Sequence, residues 1–454
     1  MSGTGKTIKC LIKYDAFYYK LDPDFSKTEK RGVVMISANN KVVLALIGAG
    51  GRGTQVILGM QKCAPDVEVK YVCEVDRERG RRVIDELEKQ QNLRPKRVED
   101  MRRVFEDKDV DAVVICTPEH WHALATVWAC QAGKDVYVEK NISLNIMEGR
   151  KMINAAKRYN SIVQCGFQNR SGAYNIHARD YIQRGKLGKI VLVKAYCMLP
   201  GNKPWIYKED EPVPEGLNWD MWLGPAPAVP YNVSRHKGYN EFWAYSCGLP
   251  LADCCHVIDL ARMVAGDPEN PKSAYCAGGR VLYNDKREIP DNQTITYDMG
   301  EFPMTVEASI YGEYLQKAPP EVRYGRNLFP NWPFLSDRME IYGTEGMMYL
   351  GRHGAGWQVL GADSKVLAQE YGYFPDEEHQ QDFIKCIRTR KVPNANLEQS
   401  HKSATLVHLA NLSYRVGKKQ LYFDSESEQV INSDEANTIS KGSCRPGFEI
   451  PDAK

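Results

Sequence analysis

Val42-Val43-Leu44-Ala45-Leu46-Ile47-Gly48-Ala49-Gly50-Gly51-Arg52-Gly53 is a run of six apolar residues that breaks into glycines. Six apolar residues without alternation describe a strand buried on both faces, as in a parallel sheet. The residues after Gly53 carry Val56, Ile57, Leu58 and Met60 at helical spacing. Strand, glycine turn and helix form the phosphate-binding unit of a dinucleotide fold. Each glycine has a mechanical role there. Gly48 permits the tight turn, Gly50 and Gly51 let the backbone approach a pyrophosphate, and Gly53 lets helix and strand pack closely. The helix start offers N–H groups and partial positive charge to phosphates, with Arg52 beside them. An ordinary glycine-rich turn is the plain alternative. Glu74, at the end of a second apolar run (Val67 to Val75) and about 20 residues on, argues against it. A carboxylate there accepts ribose hydroxyls and repels a 2′-phosphate, so NAD is the expected cofactor. Arg52, Arg77 and Arg79 keep NADP possible.

The alternation continues outward. Charged helix Arg77 to Gln90, strand Val110 to Cys116, helix His122 to Ala132, strand Asp135 to Glu139, helix Met147 to Tyr159 and strand Ile162 to Phe167 follow in order. Right-handed crossovers make such a series a doubly wound Rossmann sheet, over residues 41–167. Past residue 168 proline, tryptophan and glycine punctuate long loops. Lys189 to Tyr196, Gln293 to Tyr297, Thr305 to Ile310, 339–342 and 347–350 read as half-buried strands. Amphipathic helices are expected at His379 to Arg390 and Leu397 to Val416. Residues 168–424 are therefore expected to form an α+β domain with a largely antiparallel sheet for substrate and oligomerisation, and 425–454 a tail packed on the body. Residues 1–40 are expected to be a peripheral extension, neither a secretory nor a twin-arginine leader, with the natural start near Met35.

Composition sets limits. The 454 residues, 43% hydrophobic and 26% charged with a net charge of +2, describe a globular protein without a basic stripe for nucleic acid. No apolar run is long enough to span a membrane. Thirteen cysteines lie scattered, mostly in apolar runs, as reduced thiols do, which points to the cytoplasm. No CxxC or CxxH pair is present, and Cys254-Cys255 beside His256 is a weak metal candidate, so none is expected.

The ordered segments GAGGRG, CEVD, CTPEHWHALATVWACQAGKDVYVEK, GKLGKI, NWDMWLGPAP, HVIDLARMVAG, GTEGMMYLGRHG and HKSATLVHLANLSYRVGKK resemble the Gfo/Idh/MocA family of sugar and inositol dehydrogenases, in its bacterial subgroup, over about Lys41 to Pro446. The resemblance implies a Rossmann domain followed by an open-faced antiparallel sheet. It also implies a carbohydrate or polyol substrate between them and a homo-oligomer, a dimer or tetramer, built on the sheet face. Glu139-Lys140 corresponds to the family's EKP motif, with Asn141 in place of proline. The lysine then meets the substrate hydroxyl at the carboxyl edge of the sheet, and burial is expected to lower its pKa toward proton transfer. A strand-end lysine in a salt bridge is the plain alternative.

His256 matches the family's histidine, a residue type suited to general base work. The family's preceding aspartate falls at Ala252, so Asp253 stands one position out of register; on a helix it can still approach His256. Asp259 follows, either as a substrate contact or as the partner that satisfies His256. Thr117, Pro118 and His122 are implied cofactor contacts, as is Glu139, although Thr117 to His122 also reads as a helix start. Gln168 and Arg170 end a strand where a polyol binds. Of Trp205, Trp219, Trp222 and Trp243, one or two are expected to meet substrate, Trp243 foremost, the rest being core. The function implied is hydride transfer between a secondary hydroxyl and NAD. Glycoside cleavage through a 3-keto intermediate with recycled NAD, and a non-enzymatic dinucleotide sensor, are the alternatives.

Overall fold

The computed structural model describes residues 41–64, 66–200 and 205–452. The expected extension, 1–40, lies outside the described residues. Six parallel strands form the first sheet: β1 (Val42–Ile47), β2 (Val67–Cys73), β3 (Lys96–Val98), β4 (Ala112–Ile115), β5 (Asp135–Val138) and β6 (Val163–Cys165). Their order, β3-β2-β1-β4-β5-β6, reverses direction at β1 and β4, and that reversal opens the ligand crevice of doubly wound folds. Alternate β1 residues pack on opposite faces: Leu44 and Leu46 join one apolar cluster, Ala45 and Ile47 the other. Strand β3, three residues with Lys96 and Arg97 among them, has no apolar run to announce it.

Five of the longer helices serve this sheet: α1 (Gly51–Cys63), α2 (Arg77–Gln91), α3 (His122–Gln131) and α4 (Ile146–Arg158), joined from far along the chain by α7 (Asp376–Thr389). Helix α7 packs against α1 and sends Phe383, Ile384 and Ile387 into the core with Leu44 and Val56. The second half of the chain thus completes the first.

The second sheet has ten strands: β7 (Ile190–Met198), β8 (Ser273–Gly279), β9 (Asn292–Asp298), β10 (Pro303–Ser309), β11 (Asp337–Gly343), β12 (Met347–Gly351), β13 (Trp357–Leu360), β14 (Val366–Glu370), β15 (Leu421–Asp424) and β16 (Gln429–Val430). All neighbours are antiparallel except β7 and β10, which run parallel. Helices α5 (Ala173–Gln183), α6 (Leu249–Val264) and α8 (Leu397–Arg415) cover one face, with α6 on β7 and α8 on β8. Along β9, Gln293, Ile295 and Tyr297 point into that layer, while Thr294, Thr296 and Asp298 are exposed. The other face is therefore open. Helix α9 (Asp434–Lys441) closes the chain against α8 and α4.

Candidate active site

The glycine loop follows β1 directly. Gly48 adopts φ +91°, and a Cβ there would stand 2.8 Å from the Cys116 and Thr117 backbone. At Gly53 a Cβ would meet the Gly48 carbonyl at 2.1 Å, so α1 packs onto the loop without a side chain between them. Gly50 and Gly51 face open space. Helix α1 has neither a side-chain cap nor an acidic residue in its first turn. An anion is the natural occupant of such a helix end. These residues fit the pyrophosphate of a dinucleotide.

Glu74 directly follows β2 with 8% exposure, accepting from the Ala49 N–H at 2.7 Å and the Asp76 N–H at 3.0 Å. Burial pushes its carboxyl above the ordinary glutamate value, against those two donors. It braces the loop and still lines the adjoining cavity of about 240 Å³, with Asp76 and Arg79 beside it. Two carboxylates there oppose a 2′-phosphate. Of the three candidate arginines, Arg79 lies 3.5 Å from Asp76, and Arg77 is exposed. Arg52 turns to Glu139, 2.8 Å away, and to Asp376 at the start of α7, 3.2 Å away.

Glu139 is fully buried. It accepts from Arg52, from the Tyr137 hydroxyl at 3.2 Å and from the Lys140 N–H at 3.2 Å. Burial would raise its pKa, but Arg52 holds it below the ordinary value. Glu139, expected at the cofactor, reaches the glycine loop through Arg52 and is not among the residues lining the adjoining cavity. Gln168 is spent likewise, donating to the Tyr137 hydroxyl at 3.3 Å with 2% exposure.

Thr117 and Pro118 line the cavity. His122 instead sits buried between two backbone carbonyls, Asn141 at 2.5 Å from Nδ1 and Thr117 at 2.8 Å from Nε2. It ties the loop after β4 to the loop after β5, and burial lowers its pKa. Glu119 accepts from the Ser246 hydroxyl at 3.1 Å and the Cys247 N–H at 2.7 Å, fastening the same corner to the start of α6.

Lys140 points across the cleft, where its Nζ donates to the Ala252 carbonyl of α6 at 2.7 Å. Burial alone would lower its pKa. The Cys255 thiol and the carboxylates of Asp253, Glu119 and Glu139 outweigh that and raise it. The expected depression is thus reversed, since the pocket is acidic as well as dry. Lys140 is an ammonium at neutral pH.

His256, 5% exposed on α6, packs edge-on against Phe167 at 5.8 Å. Desolvation first, then the Arg352 and Lys140 cations, hold its pKa well below the usual histidine value. It is a neutral imidazole. Asp253 lies within 3.3 Å of Arg352 and 3.4 Å of Lys317. Burial opposes its ionisation, but Arg352, Lys140 and Lys317 hold its carboxyl far below the ordinary range. Its partners are those cations, with no hydrogen bond to His256 among the described residues. Asp337 and Cys197 approach the same cluster, and Asp337 is paired with His353 at 3.3 Å.

Three expected substrate residues are placed elsewhere. Asp259 and Arg170 form a buried pair at 2.8 Å, completed by Asp267 and by the Ser403 hydroxyl. Both are at most 3% exposed, so each satisfies the other instead of facing a polyol or His256. Trp243 lines a separate small cavity with Cys247, His408 and Arg415, the guanidinium lying 5.0 Å from its ring. Of the four tryptophans Trp222 reaches the cavity beside the glycine loop, alongside Trp121, Met221, His236 and Tyr239. Sequence reasoning missed Arg352 and Lys317. Arg352 stands inside the quoted GTEGMMYLGRHG, yet nothing local marks an arginine as facing a helix nearly a hundred residues earlier.

Comparison with known proteins adds an independent line. Residues 42–167 match a family described as oxidoreductases with an NAD-binding Rossmann fold. Residues 201–300 and 341–450 match the C-terminal α/β domain of that family. A scyllo-inositol 2-dehydrogenase (NAD+) of Bacillus subtilis strain 168 is 25% identical over 361 residues, 78% of this chain and 88% of that protein. A levoglucosan dehydrogenase of Pseudarthrobacter phenanthrenivorans is 33% identical over 169 residues, 37% of this chain and 36% of its own. A solved levoglucosan dehydrogenase in complex with NADH and levoglucosan shares the fold, with a TM-score of 0.60 at 18% identity. That likeness covers 84% of this chain and 99% of the other.

Proposed function

Because the chain belongs to the Gfo/Idh/MocA family of oxidoreductases, with its NAD-binding Rossmann domain, we propose that it transfers hydride between a secondary hydroxyl of a sugar, glycoside or inositol and NAD. The observation that carries this reading is the reach of Lys140 Nζ from the carboxyl edge of the Rossmann sheet to the Ala252 carbonyl of α6, the helix that carries Asp253 and His256. The relatives named for inositol and levoglucosan support the substrate class.

Bound NAD supplies the hydride acceptor. The chain's own part is positioning and proton handling. Lys140 Nζ donates a hydrogen bond to the substrate oxygen and stabilises the negative charge that develops as its C–H bond breaks. Neutral His256 accepts the hydroxyl proton. Asp253, held by Arg352 and Lys317, keeps a negative charge near both and balances the Lys140 cation. Glu139 and Arg52 connect the lysine's strand to the glycine loop.

The twelve described cysteines are all free, and no described helix is long and apolar enough to cross a membrane. Free thiols support a reducing compartment, the cytoplasm. The open face of the ten-stranded sheet supports a homo-oligomer, with Val191 and Tyr275 exposed on its strands. Nicotinamide absorbance, followed at enzyme concentrations stoichiometric with NAD while pyranosides and inositols are screened, tests the reading. A carbohydrate-dependent reduction is the expected result. No reduction with any carbohydrate or polyol, by folded protein that binds NAD, counts against it.

A further inference from the structure

Between β10 and β11 the chain runs through an arm, residues 311–336, that brings Lys317 to Asp253 on α6. The arm lies within residues 301–340, which the match to the family's C-terminal domain leaves out, so that match says nothing of its role. Apolar residues set its path. Leu315 and Ala318 are buried, and Ala318 joins Trp332, Leu335 and Ala355 in a small separate cluster. Between them Gln316 and Lys317 face outward. The backbone around them is tied down. Gly312 N–H donates to the Leu199 carbonyl at 3.0 Å, Gln316 N–H to the Phe334 carbonyl at 3.1 Å and Ser336 N–H to the Gln316 carbonyl at 2.9 Å. Farther along, the Trp332 indole N–H donates to the Gln358 side chain at 2.6 Å, and the ring stacks on Tyr349 with planes 6° apart. Packing on β12 and β13 therefore fixes where Lys317 stands.

Its ammonium occupies the solvent side of the charged cluster. The Lys317 side chain is 42% exposed, against 19% for Asp253, and Asp253 at 3.4 Å is its only carboxylate partner among the described residues. Arg352 is the inner cation. Its Nη2 lies 3.3 Å from Asp253 and its Nη1 2.6 Å from His353 Nε2, while its buried Nε has no partner among the described residues. The other carboxylates are committed elsewhere. Asp337 pairs with His353 and the Ser336 hydroxyl, Glu119 with Ser246 and Cys247, and Glu139 with Arg52. Asp253 is thus one carboxylate serving Arg352, Lys317 and the field of Lys140. Donors remain for a second anion.

We infer that Lys317 and Arg352 form a subsite for an anionic substituent of the substrate, so that the carbohydrate this chain oxidises carries a carboxylate or a phosphate. The reacting hydroxyl meets Lys140 and His256, and the anion meets Lys317 from the solvent side. A flexible ammonium with three rotatable donors suits either group. Charge-assisted hydrogen bonds are about twice as strong as those a neutral hydroxyl offers, so the subsite discriminates against an uncharged sugar. The inference rests on the carbohydrate-oxidising reading above and narrows its substrate class.

The test gives the full chain, with saturating NAD, a neutral hexose and its anionic counterparts: the uronate, the aldonate and the hexose phosphate. Nicotinamide absorbance yields kcat/KM for each. At least one anionic counterpart is expected to exceed the neutral hexose by about tenfold or more, the scale of a hydrogen bond to a charged group. Which one it is tells carboxylate from phosphate. Lys317→Met is expected to lower that preference by about tenfold and Lys317→Glu to lower it further, whereas Lys317→Arg keeps most of it. The preference is a ratio, so any effect of Lys317 exerted through Asp253 on both substrates cancels. Added salt is expected to shrink the preference, because the ammonium is half exposed. A neutral hexose used as well as every anionic counterpart, or a preference that Lys317→Met leaves unchanged, overturns the inference alone. No nicotinamide reduction with any carbohydrate or polyol, charged or neutral, by folded protein that binds NAD overturns the reading on which it rests.

Discussion

The two ends of the cleft are assembled in opposite ways. At the glycine-loop end, Gly48, Gly50, Gly53 and Glu74 all come from one strand–helix–strand unit, β1-α1-β2. At the other end, Lys140 follows β5, Asp253 and His256 sit on α6, Lys317 is in a loop after β10, and Arg352 follows β12. The first end works through backbone: free helix N–H groups, a positive φ and close approach. The second works through charge, one carboxylate among three cations that hold one another's protonation states. Binding a phosphate can therefore be written locally, whereas tuning an acid and a base takes residues from across the fold.

That contrast can be broken or sharpened by mutation. The largest stability effect is expected at Arg170, next to but outside the charged cluster. Arg170→Met leaves buried Asp259 and half-buried Asp267 without their cation and is expected to cost about 3–5 kcal/mol of stability, read by denaturant unfolding. Unchanged stability with a raised KM for carbohydrate would return Arg170 to the substrate site. Next comes Glu74→Ala, which removes an acceptor from the Ala49 N–H. NAD affinity is expected to fall by roughly tenfold or more, in line with hydrogen bonds to a charged group. The preference for NAD over NADP should narrow with it, as titration with both cofactors will show.

The acid limb is smaller per group. Burial holds His120 at about 4 and His379 and His408 at about 3. In the unfolded chain these imidazoles protonate near pH 6.5. Their neutral, folded form thus contributes fully above pH 6.5, and that contribution is lost as pH falls toward 4. Each histidine then lowers stability by about 1 kcal/mol per pH unit in that window. A thermal midpoint that stays flat from pH 7 to pH 4.5 would contradict these burials. The smallest effect is expected at Trp243, which faces the other cavity. Trp243→Ala should change kcat/KM by less than about threefold.

Legibility followed the same division. The parallel sheet could be read because β1 and β4 are continuous apolar runs, each followed by helical spacing. Strand β3 escaped because three residues carrying Lys96 and Arg97 show no period. Helix α7 could be read as amphipathic, but its partner could not, because packing on α1 joins residues far apart in the chain. At the site, Lys140 and His256 were legible from the resemblance of their segments. Their protonation was not, because two of the carboxylates that keep Lys140 charged, Asp253 and Glu119, come from other segments. Arg170 and Asp259 misled for the same reason: each has chemistry suited to a polyol, and only the fold reveals that they hold each other.

The central claim is that the charge-built end performs the chemistry while the backbone-built end holds the cofactor. Stopped-flow reduction of bound NAD in Lys140→Met, with NAD affinity measured in parallel, tests it most directly. The account predicts a loss of about a hundredfold or more in the rate of nicotinamide reduction, with NAD affinity changed by less than about threefold. A rate within about tenfold of wild type, or a loss that tracks NAD affinity, would contradict it.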